Sequence, residues 1–377
     1  MTSFSINTVE IGVSPEISGL LFIALVVAAV VIGVVAVVFI ARAFHLFSHK
    51  KEGGIGQLAV LRLRIARFHA KKQEEQKVKE SRYTQEEVGL AETLFAVLGG
   101  IKREKGFKAW WHGRGDRMSF EIVAKGGVIY FFVVVPEEMK ELIVQQVNAQ
   151  YPTAELAEAD DYNIFLPTGK ILGAHLFLKR NCFLPLKTYR QMETDPQSSF
   201  LNTLAKVRDG EAAALQILLR PTGTKWKKNG KKFVEAMLAG AKMKDAMKGK
   251  KPGKNKEGSA EVRRTTSREE EMLKQVEEKL SKAGLEANVR VIASAPSLVA
   301  AQSVLNNLLN CFSQFNVYEY GNSFEKHTER LGKFVPDFIH RHFSRGNSVI
   351  LSVEELAGLW HPPSPDNGMI TVDWLDA

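Results

Sequence analysis

An uninterrupted apolar run close to the N-terminus constrains this chain more than any other feature. Residues 17–41 contain no charged side chain over 25 positions. As an α-helix the run is about 37 Å long, at about 1.5 Å per residue, and the hydrocarbon core of a bilayer is about 30 Å thick. A core helix of a soluble protein is the alternative, but an apolar run of this length is rare there. The sequence therefore predicts a transmembrane helix at residues 17–41.

The residues on either side of the run predict its orientation. Residues 1–16 contain two glutamates and neither Lys nor Arg, so they lack the basic start of a cleaved signal peptide. Between Arg42 and Lys72, eight Lys or Arg stand against Glu52 alone, a net charge of +7. Because positively charged flanks stay on the cytoplasmic side, we expect a single-pass protein of the cell inner membrane. Its short N-terminus, residues 1–16, would lie outside and its main body in the cytoplasm.

The first basic residues after the run are candidate contacts for lipid head groups. Arg42, Lys50 and Lys51 lie in a predicted basic juxtamembrane linker, residues 42–56. Each basic residue close to an anionic leaflet contributes about 1 kcal/mol of attraction, so membrane lipid is the first expected partner. Two cysteines are too few for a disulfide framework or a four-cysteine zinc site. That scarcity agrees with a cytoplasmic body.

The body shows one order of predicted elements twice. Residues 57–165 predict the order βαββαβ, with a hairpin turn at Gly126-Gly127. The predicted strands are 61–65, 120–124, 128–135 and 154–159, and the helices are 84–98 and a second that starts at Pro136. The order recurs over residues 166–345, with strands at 171–178, 213–219, 289–293 and 317–320 and helices at 198–207 and 297–315.

This order is that of the ferredoxin-like unit, an antiparallel sheet with two helices on one face. The predicted fold class is therefore α+β: one N-terminal transmembrane helix followed by two tandem ferredoxin-like βαββαβ repeats. The repeats occupy residues 57–165 and 166–345, and a C-terminal segment follows at 346–377. An accidental recurrence is the alternative, because α+β arrangements are common.

A basic insertion interrupts the second predicted repeat at residues 221–268. It contains fifteen Lys or Arg and four acidic residues, a net charge of +11. Residues 248–259 have no large apolar side chain, which predicts a disordered, flexible insertion, although residues 233–247 could form a basic amphipathic helix. Its charge suits DNA, RNA or anionic lipid, and also suits a solvated loop without a ligand. The candidate contacts for phosphate are seven lysines: Lys225, Lys227, Lys228, Lys231, Lys232, Lys250 and Lys251.

The overall charge of the chain comes from these two segments. The sequence contains 51 Lys and Arg against 42 Asp and Glu, a net charge of +9, while the flank and the insertion together contribute +18. The remaining residues therefore sum to −9, and the charge no longer argues for a nucleic-acid-binding fold. A hydrophobic content of 45% with 25% charged residues is typical of a folded protein.

The other motifs predict neither catalysis, a cofactor nor a metal. The P-loop pattern GxxxxGK[ST] is absent from the sequence, and Pro167-Thr168-Gly169-Lys170 lacks its spacing. His340-Arg341-His342 suggests a metal pair, but no Cys or carboxylate stands at ligand spacing, and surface histidines are favoured. Trp110-Trp111-His112 could stack on nucleic acid, although packing beneath a loop is favoured. We expect a protein that is not an enzyme.

Five short stretches together resemble one known family. They are residues 91–96 (AETLFA), 119–123 (SFEIV) with Pro136, 150–155 (QYPTAE), 185–189 (PLKTY) with Asp195-Pro196, and 352–357 (SVEELA) with Trp360-His361-Pro362. Their order resembles the N-terminal, membrane-anchored region of bacterial type IV secretion and conjugation coupling-protein ATPases. The resemblance extends over roughly residues 15–377, and its stretches are distinctive as a set rather than singly.

The resemblance implies a role without supplying a catalytic residue. In that family a P-loop motor follows this region, and the sequence through Ala377 contains none. A motor would then act in trans, or the gene is split or truncated. The implied function is a non-catalytic membrane platform of a type IV secretion or conjugative DNA-transfer coupling complex, with a P-loop ATPase, further copies of itself and DNA as expected partners. The alternative is a membrane-tethered adaptor that binds nucleic acid or anionic lipid through its insertion.

Overall fold

The computed structural model describes residues 15–51, 57–66, 77–249, 265–364 and 371–375. The chain divides into two units. The first comprises Met1–Ile55 and Lys105–Gly113, and the second comprises Gly56–Glu104 and Arg114–Ala377.

Helices and strands alternate along most of the described chain. The helices are α1 (Pro15–Lys51), α2 (Lys77–Gly100), α3 (Gly106–Trp111), α4 (Lys140–Gln150), α5 (Pro196–Leu204), α6 (Lys225–Leu238), α7 (Met243–Met247), α8 (Ser267–Ser281), α9 (Leu298–Cys311), α10 (Leu331–Ile339) and α11 (Val353–Leu359). The strands are β1 (Leu58–Ile65), β2 (Met118–Lys125), β3 (Val128–Pro136), β4 (Ala154–Glu158), β5 (Lys170–Leu178), β6 (Ala212–Pro221), β7 (Gly284–Ala295), β8 (Phe324–His327) and β9 (Val349–Ser352).

The first unit contains the long apolar helix α1 and the short helix α3. Within α1, the segment Phe22–His45 includes a stretch with a mean hydropathy of 3.4, and none of that stretch is buried against protein. Among the described residues, this is the helix that is long and apolar enough to cross a bilayer. The predicted N-terminal apolar helix is confirmed, and its passage through a membrane stays a prediction.

The second unit is built on one antiparallel sheet. The strand order is β4-β1-β3-β2-β6-β7-β5-β8, and β9 pairs with β7 outside this path. Strands β2 and β6 join the two halves of the sheet, with Met118 opposite Leu219 and Lys125 opposite Ala212. The predicted α+β class is therefore confirmed as a mixed structure with a large antiparallel sheet.

Alternation along the strands assigns their side chains to two faces. On β2, Phe120, Ile122 and Ala124 belong to the main hydrophobic core, which also contains buried residues of α2, α4, α5, α9 and α11. On the opposite face, Val123 belongs to a smaller cluster that contains Phe334 and Phe338 of α10. Both faces of the central strands are covered, which explains why β6 is buried along its whole length.

The hairpin predicted at Gly126-Gly127 is confirmed. Lys125 pairs with Val128, so the loop between β2 and β3 has two residues. Both glycines have positive φ, 59° and 76°. A two-residue hairpin turn with positive φ at both positions favours glycine, because a Cβ atom is strained in that conformation.

The prediction that the insertion is disordered is wrong for residues 221–249 and 265–268, whereas the helix considered at residues 233–247 is confirmed in part by α6 and α7. These residues form the end of β6, the helices α6 and α7 and the start of α8, whereas residues 250–264 lie outside the described chain. The physical reason is an apolar face on each helix: Trp226, Phe233 and Met237 of α6 share a core with Met272 and Val276 of α8. The N-terminus of α8 is closed by a capping box between Thr266 and Glu269.

The strand predicted at residues 317–320 is also misplaced. That segment is a loop, and the edge strand is β8, further along the chain. Arg180 explains the loop, because its guanidinium donates to the carbonyl oxygens of Tyr318, Glu319 and Gly321. Carbonyl groups that converge on one cation cannot alternate in direction as a strand requires.

The described part of the C-terminal segment packs into the second unit. Strand β9 extends the sheet beside β7, and α11 belongs to the main core. Trp360 is fully buried, and its ring centroid lies 4.8 Å from that of Phe120 and 6.2 Å from those of Phe95 and Phe131. The domain limits predicted at residues 165 and 345 stay predictions.

Candidate functional site

The predicted lipid contacts lie at the C-terminal end of α1. Arg42 donates from Nε to the carbonyl oxygen of Trp110 at 2.7 Å, and its guanidinium carbon lies 4.8 Å from the centroid of that indole. Lys50 and Lys51 belong to the last turn of α1, but the positions of their side chains lie outside the description. The structure thus gives Arg42 a partner within its own unit.

Five of the seven predicted phosphate contacts lie on α6. Lys225, Lys228, Lys231 and Lys232 are exposed, and they pair with no carboxylate among the residues described. Lys227 differs from them: it is half-buried, and its Nζ lies 5.6 Å from the centroid of the Trp226 ring. Burial, assisted by the charge of Lys231, lowers the pKa of Lys227. Lys250 and Lys251 lie outside the described residues.

The exposed lysines of α6 form a single basic face. The spacing 225, 228, 232 is i, i+3, i+7, which places three ammonium groups along one side of the helix. The opposite side holds Trp226, Phe233 and Met237 against α8. A rigid row of cations attracts phosphate without reading a sequence. We call Lys225, Lys228, Lys231 and Lys232 the lysine face.

The structure also contains a buried polar row that sequence reasoning missed. The row consists of Glu121, Gln216, Arg290 and His175, and each of the four is fully buried. They lie on four adjacent strands in direct register: Glu121 is opposite Gln216, Gln216 opposite Arg290, and Arg290 opposite His175. Residues in register share one face of a sheet, so the row crosses the middle of the sheet beneath α10.

Arg341 connects the row to the rest of the fold. Its Nε and Nη2 donate to the two carboxylate oxygens of Glu121, each at 3.1 Å, and its Nη1 and Nη2 donate to Asp161 at 2.5 and 2.7 Å. Glu121 also accepts from Ser119 Oγ at 2.5 Å and from Gln216 Nε2 at 3.0 Å. Burial alone would raise the pKa of Glu121, but Arg341 and the hydroxyl of Ser119 hold it below its usual value.

The backbone of Arg341 adopts a left-handed conformation that is strained for a residue other than glycine. Its φ is 49°, and it is the non-glycine residue with positive φ in the described chain. It follows the last turn of α10, where the N–H of His342 donates to the carbonyl of Asp337 and the N–H of Arg341 to that of Phe338. These two bonds form a Schellman cap, whose left-handed position normally holds glycine. The guanidinium bridge to two carboxylates offsets the strain of an arginine there.

The far end of the row combines a buried guanidinium with a neutral histidine. Arg290 Nη1 donates to Gln216 Oε1 at 3.0 Å and to the carbonyl of Asp337 at 2.8 Å, and Nη2 donates to the carbonyl of His342. Burial lowers the pKa of Arg290 to about 10. Burial and the charge of Arg290 lower the pKa of His175 to about 4, although its Nε2 lies 3.1 Å from Glu329 Oε2.

These contacts give the polar row a structural task. Glu121, Gln216 and Arg290 use their polar atoms mainly to hold α10 and the Arg341 turn against the sheet. The prediction that His342 is a surface residue is wrong, because it is buried and its Nδ1 lies 3.2 Å from Asp337 Oδ1. No group of three or more His, Cys, Asp or Glu side chains is arranged as metal ligands within the described chain.

The sequence did contain a signal for this row. Each member is a polar residue with an apolar neighbour on either side in its strand: Glu121 in SFEIVA, His175 in GAHLFL, Gln216 in ALQILL and Arg290 in NVRVIA. Buried polar side chains need partners, so four such residues predict contacts with one another. The sequence does not encode which strands are neighbours, so the contacts among these four residues become apparent only in the folded sheet.

A second buried ion pair connects α8 to the C-terminal segment. Lys279 of α8 donates to Glu355 of α11 at 2.7 Å, and both side chains are almost fully buried. Glu355 also accepts from the N–H of Leu186 at 2.8 Å and from that of Ser352 at 2.9 Å. Lys279 in turn donates to the carbonyl of Leu184 at 3.2 Å. Each charge therefore has several partners.

His361 forms a further buried pair near this end of the chain. Its Nε2 lies 3.1 Å from Oδ1 of Asp195, and its Nδ1 lies 2.9 Å from the carbonyl oxygen of Ala357. Burial disfavours the charged imidazole, but Asp195 and these bonds outweigh it and raise the pKa of His361. The motif Trp360-His361-Pro362 is thus part of the interior of the second unit.

Comparison with known proteins identifies a family without an assigned activity. No curated protein sequence matches the chain. A solved crystal structure assigned provisionally as a chlorite dismutase aligns with 9% identity over 76% of this chain and 98% of its own, with a TM-score of 0.18, which does not establish a shared fold. The model of a domain of unknown function, DUF8128, matches residues 67–375. The chain therefore belongs to the DUF8128 family.

Proposed function

We propose that this protein is a single-pass platform in the inner membrane, with its N-terminus outside and its main body in the cytoplasm. The observation that carries the proposal is α1, whose apolar side chains are exposed along Phe22–His45 rather than buried in protein. Exposed apolar surface of this length needs a nonaqueous environment. The charge of +7 between Arg42 and Lys72 supports the orientation.

The strand order supports the further proposal of two tandem ferredoxin-like repeats. The first half of the sheet has the order β4-β1-β3-β2, and the second half, taken from its free edge, has the order β8-β5-β7-β6. Relabelled from one to four within each half, both orders are the same. The inserted helices α6 to α8 then lie between the second and third strands of the second repeat, where the first repeat has a two-residue hairpin.

The platform would serve a type IV secretion or conjugative DNA-transfer coupling complex without catalysing a reaction itself. The support is the resemblance at residues 91–96, 119–123, 150–155, 185–189 and 352–357. A P-loop ATPase would supply the motor in trans. Assembly with further copies of the chain and DNA as cargo belong to the same proposal.

Gene deletion with complementation tests this role. We expect deletion to reduce transfer at least tenfold, and expect the full chain to restore it. A variant that lacks residues 15–41 should not restore transfer, because the platform must reside in the membrane. A P-loop ATPase encoded nearby should co-purify with the full chain from membranes. If a complete coupling ATPase is encoded elsewhere and deletion leaves transfer intact, the proposal fails.

The lysine face favours a second candidate, an adaptor that binds nucleic acid or anionic lipid. Deleting residues 221–268 is a poor test, because it also removes the apolar face of α6 and exposes the partner face of α8. Substitution of Lys225, Lys228, Lys231 and Lys232 by Gln removes four charges and leaves that packing in place.

We expect the four substitutions to weaken DNA binding at least tenfold at physiological salt. Each phosphate contact contributes about 0.9 to the slope of log K against log salt, so the slope should fall by up to about 3.6. The matched control replaces four exposed lysines that lie outside α6: Lys125, Lys206, Lys274 and Lys326. Equal affinity and equal slope in both variants would contradict a role for the lysine face, and selective loss of binding to anionic vesicles would assign it to lipid.

A further inference from the structure

The segment 105–113 carries a dense group of aromatic side chains that the proposed function does not use. Helix α3 contains Phe107, Trp110 and Trp111 within six residues. Their ring centroids lie 5.7 to 6.0 Å apart, so the three rings form one cluster. Phe107 is 73% exposed and both tryptophans are partly exposed. An exposed cluster of large aromatic rings needs a partner.

The contacts of this cluster place it at one end of the apolar run. The ring of Phe39 meets the ring of Trp110 edge to face, with centroids 5.9 Å apart. Arg42 lies over the same indole and donates to its backbone carbonyl. His45 lies 5.9 Å from the ring of Trp111. The segment Lys105–Gly113 is grouped with α1 in the first unit, although it lies between two parts of the second unit in sequence.

The length of the run gives the depth of these contacts. A helix over residues 17–41 is about 37 Å long, which exceeds a hydrocarbon core of about 30 Å by roughly 7 Å. If the excess is shared between the ends, Phe39 and Arg42 lie where acyl chains meet head groups. Tryptophan is enriched at that level, because its ring is apolar and its N–H is polar.

From this juxtaposition we infer that α3 is an interfacial anchor: Phe107, Trp110 and Trp111 insert at the acyl–headgroup boundary of the leaflet that faces the cytoplasmic body. The segment 105–113 contains two lysines and no acidic residue, which suits an anionic leaflet. The inference rests on the proposed membrane passage of α1. Its ligand is a lipid surface, and the contacts with Phe39 and Arg42 favour lipid over stacked nucleic-acid bases.

Quenching of tryptophan fluorescence by brominated lipid tests the inference on the full chain. The chain is reconstituted in vesicles of phosphatidylcholine and phosphatidylglycerol, with bromine placed either near the head group or near the acyl-chain end. We expect stronger quenching by the shallow bromine. The double variant Trp110→Phe with Trp111→Phe should lose at least half of that quenching. Trp226→Phe is the matched control, because that ring is buried in the core of α6 and α8, and it should keep the shallow quenching.

A second variant leaves both tryptophans in place. Phe107→Ser alters an exposed side chain, so the first unit should keep its fold. Quenching by the shallow bromine should fall at least twofold. Vesicle flotation and resistance to alkaline carbonate report the insertion of α1 independently. Full insertion with quenching that is equal in wild type and both variants would overturn the anchor and leave the platform proposal standing. Shielding of Trp110 and Trp111 by an added oligonucleotide, without quenching by lipid bromine, would also overturn it. A chain that does not float with vesicles would overturn both proposals.

Discussion

Replacing Arg341 by glycine is expected to lower the free energy of unfolding by about 3–5 kcal/mol, even though glycine suits the left-handed backbone at this position. The loss arises because Glu121, fully buried, would keep its charge and lose the bidentate guanidinium. Asp161 would lose its partner as well. Thermal unfolding of the full chain in detergent, followed by near-UV circular dichroism, measures the change.

Two further variants separate the ion pair from other effects of this substitution. Arg345→Gly removes a neighbouring exposed arginine and should cost about 0.5 kcal/mol or less. Adding Glu121→Gln to Arg341→Gly should restore part of the lost stability, because the unpaired charge is removed. A cost below about 1 kcal/mol for Arg341→Gly, or no recovery in the double variant, would contradict a stabilising role for the Arg341 bridge.

Replacing Lys279 by methionine is expected to cost a similar amount, about 3–5 kcal/mol, because it leaves the buried carboxylate of Glu355 without its cation. The same side chain connects α8 to α11, so α8 and the helix α6 that packs against it should become more accessible to protease before the rest of the second unit. Limited proteolysis read by mass spectrometry, together with the melting temperature, measures both effects.

The exposed lysine of the same helix provides the control for this prediction. Lys274→Met changes the same residue type on the solvent side of α8 and should be close to neutral. Adding Glu355→Gln to Lys279→Met should recover stability, because an uncharged amide can still accept from the N–H of Leu186. If Lys279→Met and Lys274→Met melt at the same temperature, the buried pair does not hold α8 in place.

The sequence pattern correctly predicted the elements that depend only on residues close together in the chain. The apolar run has no charge to interrupt it, and α1 is helical through it. The Gly126-Gly127 hairpin follows from two residues that tolerate positive φ. The prediction of a strand at 317–320 failed because Arg180, far away in sequence, donates hydrogen bonds to three carbonyl groups of that loop. The prediction of a disordered insertion failed because it relied on the overall composition of residues 221–268. The few apolar side chains there lie on one face of each helix, where they can form a core.

The candidate sites divide in the same way. The lysines of α6 can be read from the sequence, which predicted all five as candidate phosphate contacts. Only the folded helix shows that Lys227 lies against the ring of Trp226, whereas the other four lysines face solvent. The aromatic residues of α3 were also visible, but their contact with Phe39 and Arg42 joins parts of the chain some 70 residues apart.

The sequence by itself determined an apolar helix with a basic flank, an α+β body and the location of its positive charge. These properties depend on residues adjacent in the chain or spaced by one turn or one pleat. The tertiary structure decided the rest: that β2 pairs with β6, that Glu121, Gln216, Arg290 and His175 form one row, and that Arg341 bridges Glu121 and Asp161. A polar residue in a strand becomes part of a network only when strand order brings its partners to the same face, and no local pattern encodes that order.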